Sequence, residues 1–446
     1  VISAISHTLL DAQDDLILTG SDSIDGTGND LGNQITGNVG ENVLDGLKGA
    51  DTLIGGQGGD SYIVDDVNDV VIEYADSPQT VVRVSTDSSD QEANGSSIGG
   101  VFSADGTQVL FDSNASNLVA DDTNDVYDVF VKDIKTGEIT RISTDATGKQ
   151  ANGDSFGVVF SADGTKVLFE SAASNLVAND TNGKIDVFLK DLKTGEITLV
   201  SANGSAEGFN GNSYAVALSA DGTKILFNSD ANNAVISDTN SVTDAFIKDL
   251  TTGEITRVST DGGNKEVQGS AVLAVGMSAD GNKVLLHSAS AGLVSGDNND
   301  SYDEFVKDVK TGAVIRVSTN YEDTEANGNS EGYAISADGT QVLFDSDADN
   351  LVDGDTNRAY DVFVKNIETG VVTRASTNKD GSEANGASFG GTFSADGTKV
   401  LLSSLATNLS LSDENGTQDV FVKDLLTGEI LRVSSDDKGS AANGLS

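Results

Sequence analysis

Four short apolar runs recur within each block of about 58 residues. In residues 156–201 they read FGVVFS, KVLFES, DVFLKD and EITLVS. Each run has the length of a strand and is rich in β-branched or aromatic residues. The turn sequences ADGT (162–165) and KTGE (193–196) separate the first run from the second and the third from the fourth. The pattern predicts a four-stranded antiparallel meander, with a longer acidic loop between the second and third strands.

The block is present six times. Its SADG turn places an aspartate every 58 or 59 residues, at Asp105, Asp163, Asp221, Asp280, Asp338 and Asp396. A period this regular indicates one repeated structural unit. A small twisted sheet cannot bury both faces alone, and radial closure protects sheet edges. We therefore predict an all-β chain in which residues 79–446 form a β-propeller of six blades with four antiparallel strands each.

One further copy of the outer strand precedes the six blocks. Residues 81–87 read VVRVSTD and are followed by EANG, as in the later copies. Three arrangements are open: the strand closes the ring by pairing with the last blade, it pairs with another molecule, or it belongs to a seventh blade completed by sequence beyond this chain. We favour closure of a six-bladed ring.

The block resembles the WD40-like, TolB-type β-propeller repeats of bacterial proteins. The resemblance rests on SADGTKVLF (161–169) and on third and fourth strands such as DVFVKDIKTGEITRIS (128–143), and it covers residues 80–446. It implies the propeller fold. Because propellers support enzymes, scaffolds and adhesins alike, it implies no single function.

The first 78 residues have a different period. Residues 37–63 read GNVGENVLD, GLKGADTLI and GGQGGDSYI, three segments of nine residues. They resemble the RTX, or hemolysin-type, calcium-binding nonapeptide GGxGxDxUx. The resemblance implies a parallel β-roll in residues 1–78, with Asp51 and Asp60 as calcium ligands and glycines that permit tight turns. Asn33 and Asn42 occupy the aspartate position in earlier turns, so those turns are expected to lack an ion. Hydrogen-bonded turns without metal are the structural alternative.

Each propeller block also contains an acidic loop, Asp-x-Asn-x-x-x-Asp. The loops comprise Asp122/Asn124/Asp128, Asp180/Asn182/Asp186, Asp238/Asn240/Asp244, Asp297/Asn299/Asp303, Asp355/Asn357/Asp361 and Asp413/Asn415/Asp419. Side chains at positions one, three and seven, with a backbone carbonyl at five, match the first half of a calcium-binding loop. We predict one calcium ion per blade. An Asx turn, in which side chains hydrogen-bond to the local backbone, is the alternative.

Basic and aromatic residues are equally periodic. The lysines lie in the third strand, at Lys132, Lys190, Lys248, Lys307, Lys365 and Lys423. The arginines lie in the outer strand, at Arg83, Arg141, Arg257, Arg316, Arg374 and Arg432. The phenylalanines are Phe130, Phe188, Phe246, Phe305, Phe363 and Phe421. We interpret the basic residues as blade-edge charges that discourage sheet stacking, with a ligand-binding basic ring as the alternative. The phenylalanines are predicted to form the core between blades.

Composition narrows the set of partners. The chain of 446 residues has 71 acidic and 26 basic residues, for a formal charge of -45. Repulsion excludes nucleic acid and an anionic membrane as partners and favours cations such as calcium. With no cysteine, neither disulfides nor thiolate metal sites can form. No apolar run approaches membrane-spanning length, so no membrane insertion is expected. The chain starts at Val1 and ends within a repeat, and we expect a longer native polypeptide.

Catalytic motifs are not recognisable in the sequence. The two histidines, His7 and His287, lie in no known constellation, and no nucleophile elbow, HExxH helix or phosphate loop occurs. The sequence leaves catalysis open and favours a non-enzyme. We expect a secreted, extracellular calcium-binding protein of the cell surface with a structural or adhesive role. Its partners would be other copies of itself or a surface polysaccharide. The alternative is an extracellular propeller hydrolase or lyase acting on a polysaccharide or other polymer. The third and fourth copies deviate most and are the expected place for a binding site.

Overall fold

The computed structural model contains two compact units, Val1–Val82 and Arg83–Ser446. It describes residues 1–10, 13–20, 22–56, 60–65, 68–72, 83–203, 208–410 and 417–434. The predicted division between residues 78 and 79 falls outside these ranges and stays a prediction. The described residues form strands and turns without a helix, so none of them builds a helix that could cross a membrane.

The first unit is a β-solenoid of about four turns built from two parallel sheets. One sheet contains β1 (Ile2–Ser3), β3 (Asp15–Leu18), β5 (Gln34–Thr36), β7 (Thr52–Ile54) and β9 (Val70–Ile72). The other contains β2 (His7–Thr8), β4 (Gly26–Thr27), β6 (Val43–Asp45) and β8 (Ser61–Ile63). Leu16, Ile35, Leu44 and Leu53 project between the sheets and are fully buried. The nine-residue spacing of Ile35, Leu44 and Leu53 therefore contributes to one narrow core, and the predicted fold of this segment is confirmed.

The second unit is a propeller of six blades, each a four-stranded antiparallel sheet, as predicted. Blades 1 and 2 contain β10 (Ser97–Phe102), β11 (Gln108–Ser113), β12 (Asp128–Asp133), β13 (Ile139–Arg141), and β14 (Ser155–Phe160), β15 (Lys166–Ser171), β16 (Asp186–Asp191), β17 (Ile197–Leu199). Blades 3 and 4 contain β18 (Ser213–Leu218), β19 (Lys224–Ser229), β20 (Asp244–Asp249), β21 (Ile255–Arg257), and β22 (Leu273–Met277), β23 (Lys283–Ser288), β24 (Asp303–Asp308), β25 (Val314–Arg316). Blades 5 and 6 contain β26 (Ser330–Ile335), β27 (Gln341–Ser346), β28 (Asp361–Asn366), β29 (Val372–Arg374), and β30 (Ser388–Phe393), β31 (Lys399–Ser404), β32 (Asp419–Asp424), β33 (Ile430–Arg432).

Successive blades bury apolar faces against each other. All six phenylalanines of the third strand are fully buried, which confirms their predicted place in the core. Within blade 2, Phe188 stacks on Phe169 with ring centroids 5.6 Å apart. The face of each blade is covered by the first strand of the next, as when Gly157 of β14 packs on Leu110 of β11. Among the described residues, no interface of comparable extent joins blade 6 to blade 1.

A short hairpin precedes every blade. Each is marked by an isolated bridge: Thr86 with Glu92, Thr144 with Gln150, Ala202 with Gly208, Thr260 with Glu266, Thr319 with Glu325, and Thr377 with Glu383. Residues 83–95 are therefore the lead-in hairpin of blade 1, equivalent to the five hairpins between blades. The described part of the extra strand copy, Arg83–Asp87, does not pair with blade 6. Val81 and Val82 lie outside the described residues.

The repeated lysine fastens each hairpin to the following blade. Lys190 is 6% exposed, and its Nζ donates to Thr144 O at 2.9 Å and to Asp145 O at 3.0 Å. Lys132 makes the same bonds to the hairpin before blade 1. The interpretation of these lysines as blade-edge charges is wrong, because the sequence does not reveal that a carbonyl-rich turn covers them.

Replacement of a buried lysine should loosen the adjacent hairpin. We expect Lys190→Met to reduce the free energy of unfolding by about 1–3 kcal/mol, because the carbonyl oxygens of Thr144 and Asp145 lose their donor. Lys193→Met, in the exposed KTGE turn of the same blade, is the control. Chemical denaturation measures both, and equal stability of the two variants would contradict this assignment.

Candidate cation-binding sites

The acidic loop of each described blade leads into its third strand and is organised by side-chain hydrogen bonds. In blade 2, Asn182 Oδ1 accepts the main-chain N–H of Lys184 at 2.8 Å, which is an Asx turn. Asn182 Nδ2 donates to Asp186 Oδ2 at 2.7 Å, and Ser201 Oγ donates to Asp186 Oδ1 at 2.5 Å. The asparagine thus turns its amide nitrogen toward the last aspartate. This geometry corresponds to the Asx-turn alternative.

The asparagines of blades 1, 3, 4 and 5 adopt the same arrangement. In each, Oδ1 accepts the main-chain N–H two residues ahead at 2.7–3.4 Å. In each, Nδ2 donates to the last aspartate of the loop at 2.8–3.1 Å. These asparagines are Asn124, Asn240, Asn299 and Asn357.

The orientation of these four asparagines, and of Asn182 in blade 2, does not favour the predicted ligand role. A calcium ligand would direct its side-chain oxygen toward the carboxylates, whereas Asn124, Asn240, Asn299 and Asn357 present N–H groups to them. The physical reason is that the oxygen closes the local turn and the nitrogen is held between the aspartate and a hairpin carbonyl. In blade 1 that carbonyl belongs to Ala151, at 3.0 Å.

An arginine reaches into most of these loops from the fourth strand. In blade 3, Arg257 Nη1 lies 3.6 Å from Asp238 Oδ1, 3.4 Å from Asp244 Oδ2 and 2.6 Å from Glu266 Oε1. The arginine side chain is 6% exposed. A guanidinium that is buried among carboxylates is a structural ion pair, so the interpretation as blade-edge charges is wrong for the arginines of the fourth strands. Arg83, before blade 1, is exposed and pairs with Glu92.

The same ion pairing occurs in other blades. Blade 1 pairs Arg141 with Asp122 and Asp128, blade 4 pairs Arg316 with Asp297, Asp303 and Glu325, and blade 5 pairs Arg374 with Asp355, Asp361 and Glu383. In blade 6, Arg432 Nη1 lies 3.8 Å from Asp419 Oδ2. The other two predicted ligands of that blade, Asp413 and Asn415, lie outside the described residues.

The four fully described loops that contain an arginine, in blades 1, 3, 4 and 5, offer calcium a poor fit. In blades 3, 4 and 5 one oxygen from each of three carboxylates lies within 4.8 Å of the others, a spacing that could hold a metal ion. The guanidinium nitrogen already lies among those oxygens. Calcium binding would therefore require displacement of a buried arginine. One ion per blade stays a prediction, and the geometry favours arginine as the resident cation of these loops.

Blade 2 departs from this arrangement. Leu199 occupies the place of the arginine, and Gly208 occupies the place of Glu266 in the hairpin. Asp180 is 4% exposed, and neither of its carboxylate oxygens has a hydrogen-bond partner among the described residues. Burial raises the pKa of Asp180 to about 6, the charge of Asp186 adds to the shift, and the nearby main-chain N–H of Asn182 opposes it.

In the solenoid, the predicted ligands stack in the corners between turns. Asp51 Oδ1 accepts the main-chain N–H of Asn33 at 2.7 Å, and Asp60 Oδ1 accepts that of Asn42 at the same distance. Asn33 Nδ2 donates to Asp14 O at 2.9 Å, and Asn42 Nδ2 donates to Ile24 O at 2.6 Å. The amide groups of the two asparagines thus bond to carbonyl oxygens directly.

An ionised aspartate at the position of Asn33 or Asn42 has no proton to donate to the carbonyl oxygen. A cation bound between the carboxylate and the carbonyl oxygen can replace the hydrogen bond of the asparagine amide. Glycine creates the room: a β-carbon at Gly46 would overlap Asp51 Oδ2, and one at Gly28 would overlap Gly46 O. Carboxylate and backbone carbonyl oxygens are the ligands that calcium prefers. The residues around Asp51 therefore fit calcium.

A second polar row, which the sequence patterns did not single out, lies on the second strand of each blade. Its members are Asp112, Glu170, Asn228, His287, Asp345 and Ser403. Some bond to the backbone of the following blade, as when Asp112 Oδ1 accepts the N–H of Gly157 at 2.8 Å. Burial raises the pKa of Asp112 to about 6 and that of Glu170 to about 7, where the charge of Asp112 also contributes.

Blade 4 breaks the symmetry of this row. His287 Nδ1 lies 2.5 Å from Glu304 Oε1, and the ring of Tyr302 stacks on the imidazole at 4.8 Å. Other blades have valine or alanine in the position of Glu304, which is fully buried. Burial raises the pKa of Glu304 to about 7. Burial opposes the protonation of His287, but the hydrogen bond and charge of Glu304 raise its pKa overall. A short hydrogen bond therefore joins the two side chains.

No protein-family model matches the chain, and no similar curated protein is found. A prolyl endopeptidase structure is similar over 76% of this chain and 42% of its own, at 12% identity and a TM-score of 0.50. This chain thus spans less than half of that protein. A protein described as TolB from Agrobacterium tumefaciens covers 63% of this chain and 80% of its own, at 16% identity and a TM-score of 0.37. An oligogalacturonate lyase in complex with manganese covers 76% and 86%, at 15% identity and a TM-score of 0.46. At these identities the likeness shows the propeller fold alone.

Acidification should stabilise the propeller. The folded state raises the pKa of Glu170 from 4.5 to about 7. The stability that the protonated Glu170 contributes is therefore fully present below the pKa of the unfolded state, and it is lost as pH rises through the pKa of the folded state. We expect the melting temperature to fall between about pH 5 and about pH 8, and to fall less in Glu170→Gln. Thermal unfolding measures the difference, with exposed Glu196→Gln as the control. An unchanged slope in Glu170→Gln would contradict the prediction.

Proposed function

We propose that the chain is part of a secreted, calcium-binding protein of the cell surface, in which the propeller has a structural or adhesive role. The observation that carries the proposal is the corner of the solenoid at which the carboxylate of Asp51 lies directly against the backbone of Gly46. Asn33 and Asn42 show how an uncharged turn closes without an ion. At Asp51 and Asp60 the amide donor is replaced by a carboxylate, and a cation can bridge that carboxylate to the carbonyl oxygens of the corner.

The charge of the molecule supports the same function. A formal charge of -45 repels other copies of the chain, and divalent cations reduce that repulsion. Calcium outside the cell would thus both stabilise the solenoid and permit close association. The partners that fit the proposal are other copies of this protein or a polysaccharide of the cell surface.

Blade 4 favours a second candidate function, a propeller hydrolase or lyase. Glu304 is a carboxylate in a position that is apolar in the other blades, and it holds His287 in a defined orientation. A histidine oriented by a buried carboxylate is a recurring general base. The stacked ring of Tyr302, which is 50% exposed, gives this site an aromatic surface.

The solenoid sites can be tested by converting aspartates to the residue found in the earlier turns. We expect calcium to stabilise the wild-type solenoid by about 1 kcal/mol per site at millimolar concentration. The variant with Asp51→Asn and Asp60→Asn should fold and lose this response, whereas exposed Asp30→Asn should keep it. Calorimetry in calcium and in chelator measures the shift of the solenoid transition. A full calcium response in the double variant would contradict the proposal.

The enzyme candidate requires turnover that depends on His287. For this function we expect the chain to release new reducing ends from one member of a polysaccharide panel, and His287→Gln to abolish the release. Tyr302→Phe keeps the stacked ring and should retain most of the activity. Product release that is equal in wild type and His287→Gln would remove the histidine pair from consideration.

A further inference from the structure

The acidic loops of blades 1 to 5 each bury two carboxylates. In blade 6 the structure describes one of the two, Asp419, and it is buried. Five blades place an arginine beside these carboxylates, and blade 2 does not. Asp186 of blade 2 is fully buried, with its two oxygens bonded to Ser201 and Asn182. Asp180 is also buried and is near enough for the charge of Asp186 to act on it. Blade 2 thus retains the two neighbouring carboxylates but lacks the positive charge that accompanies them in the other blades.

Among the described residues, no basic side chain compensates for the missing arginine. No lysine, arginine or histidine nitrogen in those ranges lies within 4.0 Å of either Asp180 oxygen. Lys248, in the neighbouring blade, directs its Nζ to Val200 O and Ala202 O, both at 2.8 Å. Burial of an ionised carboxylate without a counter-charge is costly, so this carboxylate pair requires either a proton or a cation.

Blade 2 also has smaller side chains around this loop. Leu199 is shorter than arginine and carries no charge. Gly208 adds no side chain where blade 3 has Glu266. Both substitutions remove groups that would otherwise surround the carboxylates, and both occur in the same blade.

We propose that blade 2 binds one divalent cation, calcium, between Asp180 and Asp186, in the place that arginine occupies in the other blades. Two carboxylates balance the charge of one divalent ion. Both oxygens of Asp180 can serve as hard ligands, and water molecules would complete the coordination that calcium requires. This inference deepens the proposed function, on which it rests for the supply of calcium.

The site separates this blade from the other five loops that the sequence predicts to bind calcium. The arginine of those loops and the ion of blade 2 are alternative solutions to the same electrostatic requirement. It also gives a reason for the irregular sequence that follows, since Gly208 and Phe209 lie in the hairpin beside the loop.

The test uses the full chain with Asp51→Asn and Asp60→Asn, so that the solenoid sites are absent. We expect calorimetric titration to show one calcium ion per chain, and calcium to raise the melting temperature of the propeller. Asp180→Asn should weaken binding by at least about tenfold. Asp238→Asn, at the same loop position in blade 3, should leave calcium binding unchanged.

Exchange of the arginine between blades provides the decisive comparison. Leu199→Arg should raise the melting temperature in chelator and abolish the calcium response. Arg257→Leu should lower the melting temperature in chelator and add a second calcium response. If Leu199→Arg does not fold, the loss of binding in Asp180→Asn carries the test.

A calcium response that persists in both Leu199→Arg and Asp180→Asn would overturn the assignment to blade 2. The absence of any propeller response in the parent would also overturn it, and would mean that Asp180 is neutralised by a proton alone. Because the solenoid sites are measured separately, neither result decides whether Asp51 and Asp60 bind calcium.

Discussion

Buried carboxylates must be neutralised, and this requirement explains much of the propeller's polar structure. The last aspartate of each acidic loop begins the third strand, where it accepts a serine hydroxyl and fixes the loop, as Asp186 does with Ser201. Such a group cannot face water without opening the blade. Arginine from the fourth strand supplies the opposite charge, as Arg257 does in blade 3. The cost of an unpaired buried charge explains why the two residue types recur together.

The strands, the repeat and the inter-blade phenylalanines could be predicted because they depend on alternation and period, which are local features of sequence. The role of arginine could not, because Arg257 meets Asp238 only after two strands have folded back on the loop. The lysines were misinterpreted for the same reason, since Lys190 bonds to a hairpin 45 and 46 residues earlier. The loop asparagines differ from the prediction because a sequence pattern does not show which end of an amide faces the carboxylate. The sequence contains one sign that blade 2 is different. The arginine that recurs in the fourth strand is replaced in the second block by Leu199.

The solenoid shows the same requirement in another form. Asn33 bonds to a carbonyl oxygen through its amide, whereas a carboxylate such as Asp51 in the following turn has no proton to donate. The carboxylate of Asp51 lies against Gly46, and the carbonyl oxygen of Gly46 lies against Gly28 of the neighbouring turn. In blade 4, the buried carboxylate of Glu304 is bound instead by the imidazole of His287. Amide, guanidinium and imidazole groups thus all bind buried carboxylate or carbonyl oxygens in this chain, and we propose calcium as a further partner.

We propose that arginine makes calcium unnecessary in the acidic loops where it pairs with the carboxylates, and our explanation of the propeller depends on this claim. The most direct measurement is the number of calcium ions that the propeller retains, determined by native mass spectrometry of the full chain carrying Asp51→Asn and Asp60→Asn. We expect a single ion. Retention of one ion for every blade would show that the arginines do not replace calcium, and would contradict this explanation.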